Sequence, residues 1–436
     1  MTGKPDIAAL TRPDMIVLGG GPAGAISAWL AAGDGVRVLL IDPCKASNRI
    51  EGLSPRLHRW LHATGIGDGG AAIGPFPRSV DWGSQPQATN SEHAVDRDRF
   101  DAHLRQTAQM AGAHLLEGSA KLSGKEVTLP DGRCLAPRWI VDARGRQGGP
   151  KDRDAAPFAT LSICGWYRQD DARRPGFDIA ALPEGWLWRA TLPGNRTWAQ
   201  LTTDARSSSS MEDRLTRALI RTGLSPDRFT LQEPLVARAS APLLPAPITD
   251  LDCLPVGDAL AAMDPLSGHG LFWAVSSALA VAAVRRTRMA RPGSETDALC
   301  RRFLAERASE TYLRNARIGR DFIRLEGRYR AEPFWTARRD FPDEAPIHDT
   351  SEGFEVVAST VVRDGLLEEM DVLRTPQSPA GIAWLNGVPA VEAWRMLDEG
   401  KSLNDLVDRW GRAAAALPGL FAREAAAGTV ASQGGA

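Results

Sequence analysis

Residues 15–24 read Met-Ile-Val-Leu-Gly-Gly-Gly-Pro-Ala-Gly and set the architecture of the N-terminal part of the chain. The four apolar residues at the start suit a buried parallel strand. Gly19, Gly21 and Gly24 then have the spacing G-x-G-x-x-G. In this pattern the first glycine permits a tight turn, the second lets the backbone approach a pyrophosphate, and the third lets the helix pack on the strand. The pattern predicts a turn that binds a dinucleotide.

The flanking residues complete a strand–turn–helix–strand unit. Residues 25–32 follow a helix pattern that stops at Gly33, and a second apolar run at residues 36–41 ends in Asp42. The helix N-terminus would stabilise phosphate charge, and a carboxylate about 20 residues beyond the motif accepts hydrogen bonds from ribose hydroxyls. This unit alone does not distinguish FAD from NAD. The glycine-rich string at residues 65–70 follows a helix pattern rather than a strand, so we interpret it as a loop.

Composition limits the class of protein. The 436 residues are 43% hydrophobic and 24% charged, which is globular and suggests two or three domains. A net charge of −1 argues against a protein that binds nucleic acid by neutralising phosphates. The five cysteines are scattered without zinc-type spacing, so we expect no metal centre and a cytoplasmic protein with reduced thiols. The longest apolar stretch, residues 271–284, is shorter than the roughly 20 residues of a membrane span.

Three further motifs follow in order along the chain. Residues 95–104 read Val-Asp-Arg-Asp-Arg-Phe-Asp-Ala-His-Leu, and residues 138–146 form an apolar strand that ends in Asp-Ala-Arg-Gly-Arg. Residues 254–271 contain a strand, a Gly-Asp pair and the loop Asp-Pro-Leu-Ser-Gly-His-Gly, and a helix pattern comes next. With these motifs in this order, residues 15 to about 290 resemble the FAD-dependent aromatic hydroxylases and the flavin-dependent halogenases.

The resemblance implies an α/β fold with a Rossmann-like FAD-binding domain. Into it a mixed β-sheet substrate domain is inserted, as in p-hydroxybenzoate hydroxylase, and a small α+β C-terminal domain follows. The expected boundaries are residues 1–150 and 235–330 for the FAD-binding domain, residues 151–234 with parts of 75–95 for the substrate domain, and residues 350–436 for the C-terminal domain.

The resemblance also assigns residues to the cofactor. It implies that Arg97 contacts FAD, that Asp258 binds the ribityl chain, and that residues 264–270 run beside the isoalloxazine ring. Arg49 is a candidate for the FAD phosphates. The expected FAD-binding residues are Gly19, Gly21, Pro22, Ala23, Gly24, Asp42, Arg49, Arg97, Gly257, Asp258, Pro265, Gly268, His269, Gly270 and Leu271.

Enzymes of this type reduce FAD, bind O₂ and form a C4a-hydroperoxide in a dry pocket. The resemblance therefore implies a monooxygenase that uses O₂ as co-substrate. Because no second dinucleotide-binding unit is visible, NADH or NADPH visits transiently or a partner flavin reductase supplies the electrons. His269, within the flavin loop, and Glu51 are the candidate catalytic residues. The alternative for each is an ordinary loop residue.

Two features favour hydroxylation over halogenation. Halogenases need a lysine that activates hypohalous acid, and no lysine lies between Leu53 and Trp82. Halogenases also carry W-x-W-x-I-P, whereas residues 186–191 read Trp-Leu-Trp-Arg-Ala-Thr and depart at the last two positions. The two tryptophans can equally be packing residues of one strand face.

The expected C-terminal domain bears on the substrate, because a small free aromatic molecule does not require a docking domain. On this ground the chain resembles the flavoprotein monooxygenases that build amino-acid-derived quinone cofactors, such as those that hydroxylate a tryptophan in the small subunit of quinohemoprotein amine dehydrogenase. The resemblance implies a peptide- or protein-bound tryptophan that docks near the C-terminal domain. Three alternatives remain: a tailoring hydroxylase of a free or carrier-bound small aromatic metabolite, a reductase of isoprenoid double bonds, and a flavin-carrying redox sensor.

Overall fold

The computed structural model describes residues 12–83, 85–150, 153–170, 174–347 and 353–425. The strands in chain order are β1 (Met15–Leu18), β2 (Val38–Asp42), β3 (Ile50–Leu53), β4 (Ala72–Trp82), β5 (Gln85–Asp96), β6 (His114–Glu117), β7 (Lys121–Ser123), β8 (Glu126–Thr128), β9 (Cys134–Leu135), β10 (Trp139–Asp142), β11 (Thr160–Gln169), β12 (Gly176–Leu182), β13 (Gly185–Leu192), β14 (Arg196–Asp204), β15 (Phe229–Leu231), β16 (Val236–Ala239), β17 (Cys253–Pro255), β18 (Glu355–Arg363), β19 (Leu366–Arg374), β20 (Trp384–Leu385) and β21 (Val388–Pro389).

The α-helices are α1 (Pro22–Gly33), α2 (Pro55–Ala63), α3 (Arg97–Met110), α4 (Met211–Arg221), α5 (Gly270–Ala290), α6 (Ser294–Leu325), α7 (Pro333–Thr336), α8 (Ala390–Asp398), α9 (Leu403–Trp410) and α10 (Leu417–Ala425). Among the described residues, none of these helices combines the length and the apolar character that a membrane crossing requires.

A five-stranded parallel sheet contains the predicted N-terminal unit. Its strand order is β17-β10-β1-β2-β6, and each neighbouring pair is parallel. All four residues of β1 are buried, as expected for a strand with elements on both faces. In order of occurrence along the chain the sheet reads 3-2-1-4-5, the Rossmann-type order. The predicted Rossmann-like sheet is confirmed, and its order reverses at β1, which places a crevice at the carboxyl ends of β1 and β10.

A nine-stranded mixed sheet lies in the same part of the chain. Its order is β15-β11-β14-β13-β12-β4-β5-β3, and β16 pairs with β11. The β12–β4 pair is parallel, whereas the neighbouring pairs of β11 to β14 are antiparallel. Through the β12–β4 pair, residues 72–96 join a sheet built mostly from residues 160–239. The predicted mixed sheet is therefore present, and it is assembled from segments far apart in sequence.

The described residues of 283–347 that lie outside 304–344, together with 353–425, form a second compact unit, which the contacts within it distinguish from the described residues of 12–282 and 304–344. Within the described part of the second unit, β18 and β19 pair as an antiparallel hairpin. Helices α8, α9 and α10 pack around a core that includes Leu373, Leu406 and Leu417. Leu406 and Leu417 are fully buried, so this small α+β unit has a hydrophobic core of its own.

Candidate functional site

The glycines of the turn between β1 and α1 have distinct steric surroundings. Gly19 has φ +98°, and a Cβ there would lie 2.4 Å from the carbonyl oxygen of Ala143. A Cβ at Gly24 would lie 1.8 Å from the carbonyl oxygen of Gly19. A Cβ at Gly21, in contrast, would meet nothing within 4 Å. Gly19 and Gly24 are therefore required by the turn itself, whereas Gly21 leaves space in front of the helix N-terminus.

That space belongs to a cavity of about 580 Å³ in front of the parallel sheet. Leu18, Ile41 and Val256, from the ends of three parallel strands or just beyond them, form part of its wall. The predicted residues that line it are Gly19, Gly21, Pro22, Ala23, Asp42, Arg49, Glu51, Arg97, Gly257, Asp258, Gly270 and Leu271. The predicted residues outside its wall are Gly24, Pro265, Gly268 and His269. The structure thus brings most of the expected FAD residues to one cavity at the crevice of the sheet.

Asp42 lies at the end of β2 with its carboxylate fixed. Its Oδ2 accepts a hydrogen bond from the backbone N–H of Gly20 at 2.6 Å, and its Oδ1 accepts one from the N–H of Cys44 at 2.7 Å. Nη1 of Arg105 lies 3.6 Å from Oδ1. Each carboxylate oxygen has a second lone pair, so the side chain can still accept from a hydroxyl group in the cavity.

A network of charged side chains forms part of the cavity wall. Arg97 is buried at the start of α3, where its Nη1 donates to Oε1 of Glu51 at 2.7 Å. The other edge of the guanidinium donates to both carboxylate oxygens of Asp101, at 3.0 Å each. Nε of Arg49 lies 3.1 Å from the same Oε1 of Glu51. This bidentate geometry fixes Arg97 firmly at the cavity wall.

The network controls the protonation of Glu51. Burial by itself would raise the pKa of Glu51, but the charges of Arg49 and Arg97 outweigh burial and hold this pKa below its usual range. Burial likewise opposes the charge of Arg97, yet Glu51 and Asp101 raise its pKa. Glu51 is therefore an ionised partner of two arginines, a state that suits charge balance better than proton transfer.

Asp258 behaves differently from Glu51. Its side chain is 43% exposed, but it lines the cavity, and Nε of Arg146 lies 3.9 Å from its Oδ2. Desolvation raises the pKa of Asp258, and the attraction of Arg146 only partly offsets it. A carboxyl group that is poorly solvated within a pocket gains from a hydroxyl partner. This environment fits the ribityl hydroxyls that the sequence resemblance assigns to Asp258.

The loop before α5 has a backbone conformation at position 268 that favours glycine. Gly268 has φ +65°, in the left-handed region, and Oδ1 of Asp264 accepts a hydrogen bond from the N–H of Leu266 at 2.8 Å. His269 is exposed, and its carbonyl oxygen accepts from the N–H of Trp273 at 2.8 Å. Of the two candidate catalytic residues, the structure places Glu51 in the cavity wall and His269 outside it.

Sequence reasoning gave no role to several charged residues that line the cavity. Asp101 and Arg105 follow Arg97 on α3 at spacings of four and eight residues, so all three lie on one helix face. Arg144 also lines the cavity, and its side chain donates two hydrogen bonds to Asp142, at 2.9 and 2.8 Å. The helical spacing within residues 95–104 was a signal for Asp101, which lies one turn after Arg97.

Comparison with known proteins shows which family the chain belongs to. No protein-family model matches the chain. The solved structure of the peptidyl tryptophan dihydroxylase QhpG, described as essential for tryptophylquinone cofactor biogenesis, is 31% identical and has a TM-score of 0.76. The similarity covers 95% of this chain and 100% of QhpG. The flavin-dependent halogenase CmlS has a TM-score of 0.71 at 17% identity, over 95% of this chain and 94% of its own, which shows a shared fold.

A curated relative is more distant in sequence. The menaquinone reductase of Mycobacterium tuberculosis is 28% identical over 314 residues, which cover 59% of this chain and 72% of the relative. The parallel sheet, the glycine turn and the cavity, together with these relatives, define the chain as an FAD-dependent oxidoreductase. Within that class, the chain belongs to the family of the peptidyl tryptophan dihydroxylase QhpG.

Proposed function

We propose that this protein is an FAD-dependent monooxygenase that hydroxylates an aromatic ring, namely the indole of a tryptophan within a peptide or protein. The observation that carries the proposal is the 31% identity to QhpG over 95% of this chain and all of that one. An enzyme of this kind would take part in the maturation of a tryptophan-derived quinone cofactor.

The residues of the cavity fit FAD. The open face of Gly21 and the N-terminus of α1 suit the pyrophosphate, Asp42 suits the ribose, and Asp258 suits the ribityl chain. When bound, FAD would supply the redox chemistry and the activation of O₂. The role of the chain is to bind and orient it, and the ion pairs of Arg97 with Glu51 and Asp101 keep that wall rigid.

Two further parts of the proposal concern electrons and substrate. NADH, NADPH or a partner flavin reductase would reduce the flavin, and O₂ would be the co-substrate. The peptide or small protein subunit would dock near the C-terminal residues 353–425, because a free aromatic metabolite needs no unit of that size. The absence of lysine between Leu53 and Trp82 supports hydroxylation rather than halogenation.

The similarity to menaquinone reductase favours a second candidate, a reductase, and the sequence resemblance left open one that acts on an isoprenoid double bond. Such an enzyme would use the same FAD site, and it would not consume O₂ in proportion to product. Oxygen consumption therefore separates the two candidates.

The first test is a visible spectrum of the purified protein, followed by anaerobic addition of NADH and then air. The second is incubation with FAD, NADH, O₂ and an amine dehydrogenase small subunit whose tryptophan is unmodified. We expect a flavin spectrum, and a mass gain of one or two oxygen atoms on that tryptophan with matching oxygen consumption. Asp258→Asn should weaken FAD binding, and Asp131→Asn, at an exposed turn, should not.

Other outcomes would contradict the proposal at defined points. No bound flavin after addition of FAD would refute the flavoprotein site. Full NADH turnover with an unmodified peptide would refute the peptide substrate. Reduction of an isoprenoid double bond without oxygen consumption would favour the reductase.

A further inference from the structure

Two histidines and one aspartate converge beside α2. His58 and His62 lie four residues apart on this helix, and their Nε2 atoms are 3.1 Å apart. Oδ2 of Asp68 lies 3.2 Å from Nε2 of His58 and 3.6 Å from Nε2 of His62. These three atoms form a compact triangle of possible metal ligands.

The side lengths of the triangle match metal coordination. Ligand atoms at about 2.0–2.1 Å from a tetrahedral Zn²⁺ lie roughly 3.3 Å from each other. The three observed separations, 3.1, 3.2 and 3.6 Å, scatter around that value. The three separations are therefore compatible with one ion in contact with all three atoms.

Which of these contacts is a hydrogen bond depends on the tautomers of the two histidines. If Nε2 of His58 carries a hydrogen, it can donate to Asp68, but it cannot accept from Nε2 of His62. If it carries none, it can accept from His62, but its lone pair then faces the carboxylate of Asp68. A cation at the centre would turn all these lone pairs into favourable contacts.

The packing of α2 and the hydrogen bonds of the loop after it hold the three ligands in place. On the neighbouring face of α2, Leu57 and Leu61 are buried in the hydrophobic core and fix the helix. The N–H of Gly70 donates to Oδ1 of Asp68 at 2.7 Å, which leaves Oδ2 directed at the histidines. Nε2 of His103 lies 2.8 Å from the carbonyl oxygen of Ile66 and braces the same loop. The ligands are thus positioned before any ion binds.

The ring of His93 supplies a second observation. It stacks on the ring of His58, with centroids 4.1 Å apart and planes at 18°. Nδ1 of His93 is buried and has no hydrogen-bond partner among the described residues. The stacking restrains the ring of His58, one of the three possible ligands.

We propose that His58, His62 and Asp68 form a binding site for one divalent transition-metal ion, of which Zn²⁺ fits the ligand set best. Two imidazoles and one carboxylate leave a fourth position for water or a further ligand. The side chain of His62 is 54% exposed, so an ion can enter from solvent. None of the three ligands lines the candidate flavin cavity, so the metal site is distinct from it.

The site would connect two elements. His58 and His62 belong to α2, and Asp68 belongs to the loop that leads from α2 to β4. A bound ion would cross-link the helix to this loop, and it would stabilise the folded state because unfolded chains lack the preformed triangle. Sequence spacing predicts no metal centre here, since an H-x-x-x-H pair lacks its third ligand until the loop folds back.

The test uses the full-length protein after treatment with a chelator and removal of that chelator. Titration with Co²⁺ should produce visible d–d absorption with one ion per chain, and Zn²⁺ should abolish it by competition. Zn²⁺ should also raise the thermal midpoint of unfolding. His62→Ala and Asp68→Asn should each weaken Zn²⁺ binding by at least about tenfold, the lower end of what the loss of an outer-shell group costs. The matched control is His114→Asn, which changes an exposed histidine on β6.

Three results would overturn the proposal: no binding of Co²⁺ or Zn²⁺, equal binding by the double variant His62→Ala with Asp68→Asn, or equal loss in the His114→Asn control. Circular dichroism of each variant without metal shows whether it is folded, and His62 suits this purpose because it is exposed. Flavin content, measured in parallel, should remain unchanged.

Discussion

Single glycines in the turn between β1 and α1 have separable roles. Gly19 and Gly24 cannot carry a side chain, because backbone atoms lie 2.4 and 1.8 Å from where a Cβ would be. Gly21 has room for a Cβ, and that room is part of the cavity. The turn thus contains glycines required for folding and one glycine whose smallness serves a ligand.

We predict that Gly21→Ala leaves the protein folded and weakens FAD binding by at least about tenfold, which corresponds to about 1.4 kcal/mol. The new methyl group would keep a pyrophosphate from the backbone N–H groups. Fluorescence titration with FAD measures the affinity, and thermal unfolding measures the fold. The control is Gly33→Ala, at the exposed end of the same helix, where a Cβ also meets nothing within 4 Å. Unchanged FAD affinity in Gly21→Ala would place the pyrophosphate elsewhere.

The lowered pKa of Glu51 predicts that the stability of the folded protein depends on pH. Its pKa in the folded state lies below the ordinary value, because the two arginines outweigh burial. Its contribution to stability is therefore present above an unfolded-state pKa of about 4.3 and is lost as the pH falls through the folded-state pKa. We predict that Glu51→Gln lowers the free energy of unfolding at pH 7 by about 1–2 kcal/mol, and that this difference shrinks below pH 4.3.

Urea unfolding of both proteins across this pH range measures the difference. Glu126→Gln, at an exposed position on β8, serves as the control and should change little at any pH. A difference that stays constant with pH would mean that the charge of Glu51 does not contribute.

At the scale of elements, the short helix α7 is anchored by two buried aromatic side chains, Phe334 and Trp335. Trp335 is fully buried, and its indole N–H donates to the carbonyl oxygen of Leu182 at 2.9 Å. Its ring meets that of Trp82 at 5.2 Å, and Trp186 belongs to the same cluster. Trp188 stacks on Phe177. These contacts show the two tryptophans of residues 186–191 in packing positions of the mixed sheet.

We predict that Trp335→Ala destabilises the protein by about 3–5 kcal/mol, because it removes a large buried side chain and leaves a cavity. Trp335→Phe should cost less, about 1–3 kcal/mol, because it retains most of the packing and removes only the hydrogen bond to Leu182. Denaturant unfolding of both variants gives the comparison. Equal losses in the two variants would mean that the hydrogen bond, rather than the packing, holds α7.

At the scale of the whole molecule, the two compact units have separate hydrophobic cores. Every residue that lines the candidate flavin cavity belongs to the unit of residues 1–282 and 304–344. FAD binding and the packing of the second unit should therefore respond to different substitutions.

We predict that Leu406→Ala, in the core of the second unit, costs about 2–5 kcal/mol in the stability of that unit and leaves FAD affinity within about twofold. The matched substitution Leu104→Ala removes an equally buried leucine from α3, the helix that carries Arg97 and Asp101. It should weaken FAD binding. Calorimetry measures the stability of each variant, and titration with FAD measures its affinity. Weakened FAD binding in Leu406→Ala but not in Leu104→Ala would contradict the assignment of the cavity to the first unit.

Much of the fold was predictable because its signals are local. The strand at residues 15–18, the glycine turn and Asp42 lie within one short stretch, and the structure places them as the spacing predicts. The predicted helix after Leu271 and the strand before Asp142 are also observed as α5 and β10. Short-range steric rules and hydrophobic periodicity suffice for such elements.

The sequence by itself determined the dinucleotide-binding unit, since its strand, glycine turn and Asp42 lie within one short stretch, and the order of the further motifs carried the resemblance to flavin-dependent hydroxylases and halogenases. Only the tertiary structure decided that Glu51 meets Arg97, 46 residues away, and that Asp68 closes the triangle with His58 and His62. It also decided that His269 lies outside the cavity wall. Contacts of this kind depend on how the elements pack, and packing is set by the whole core rather than by any one stretch of the chain.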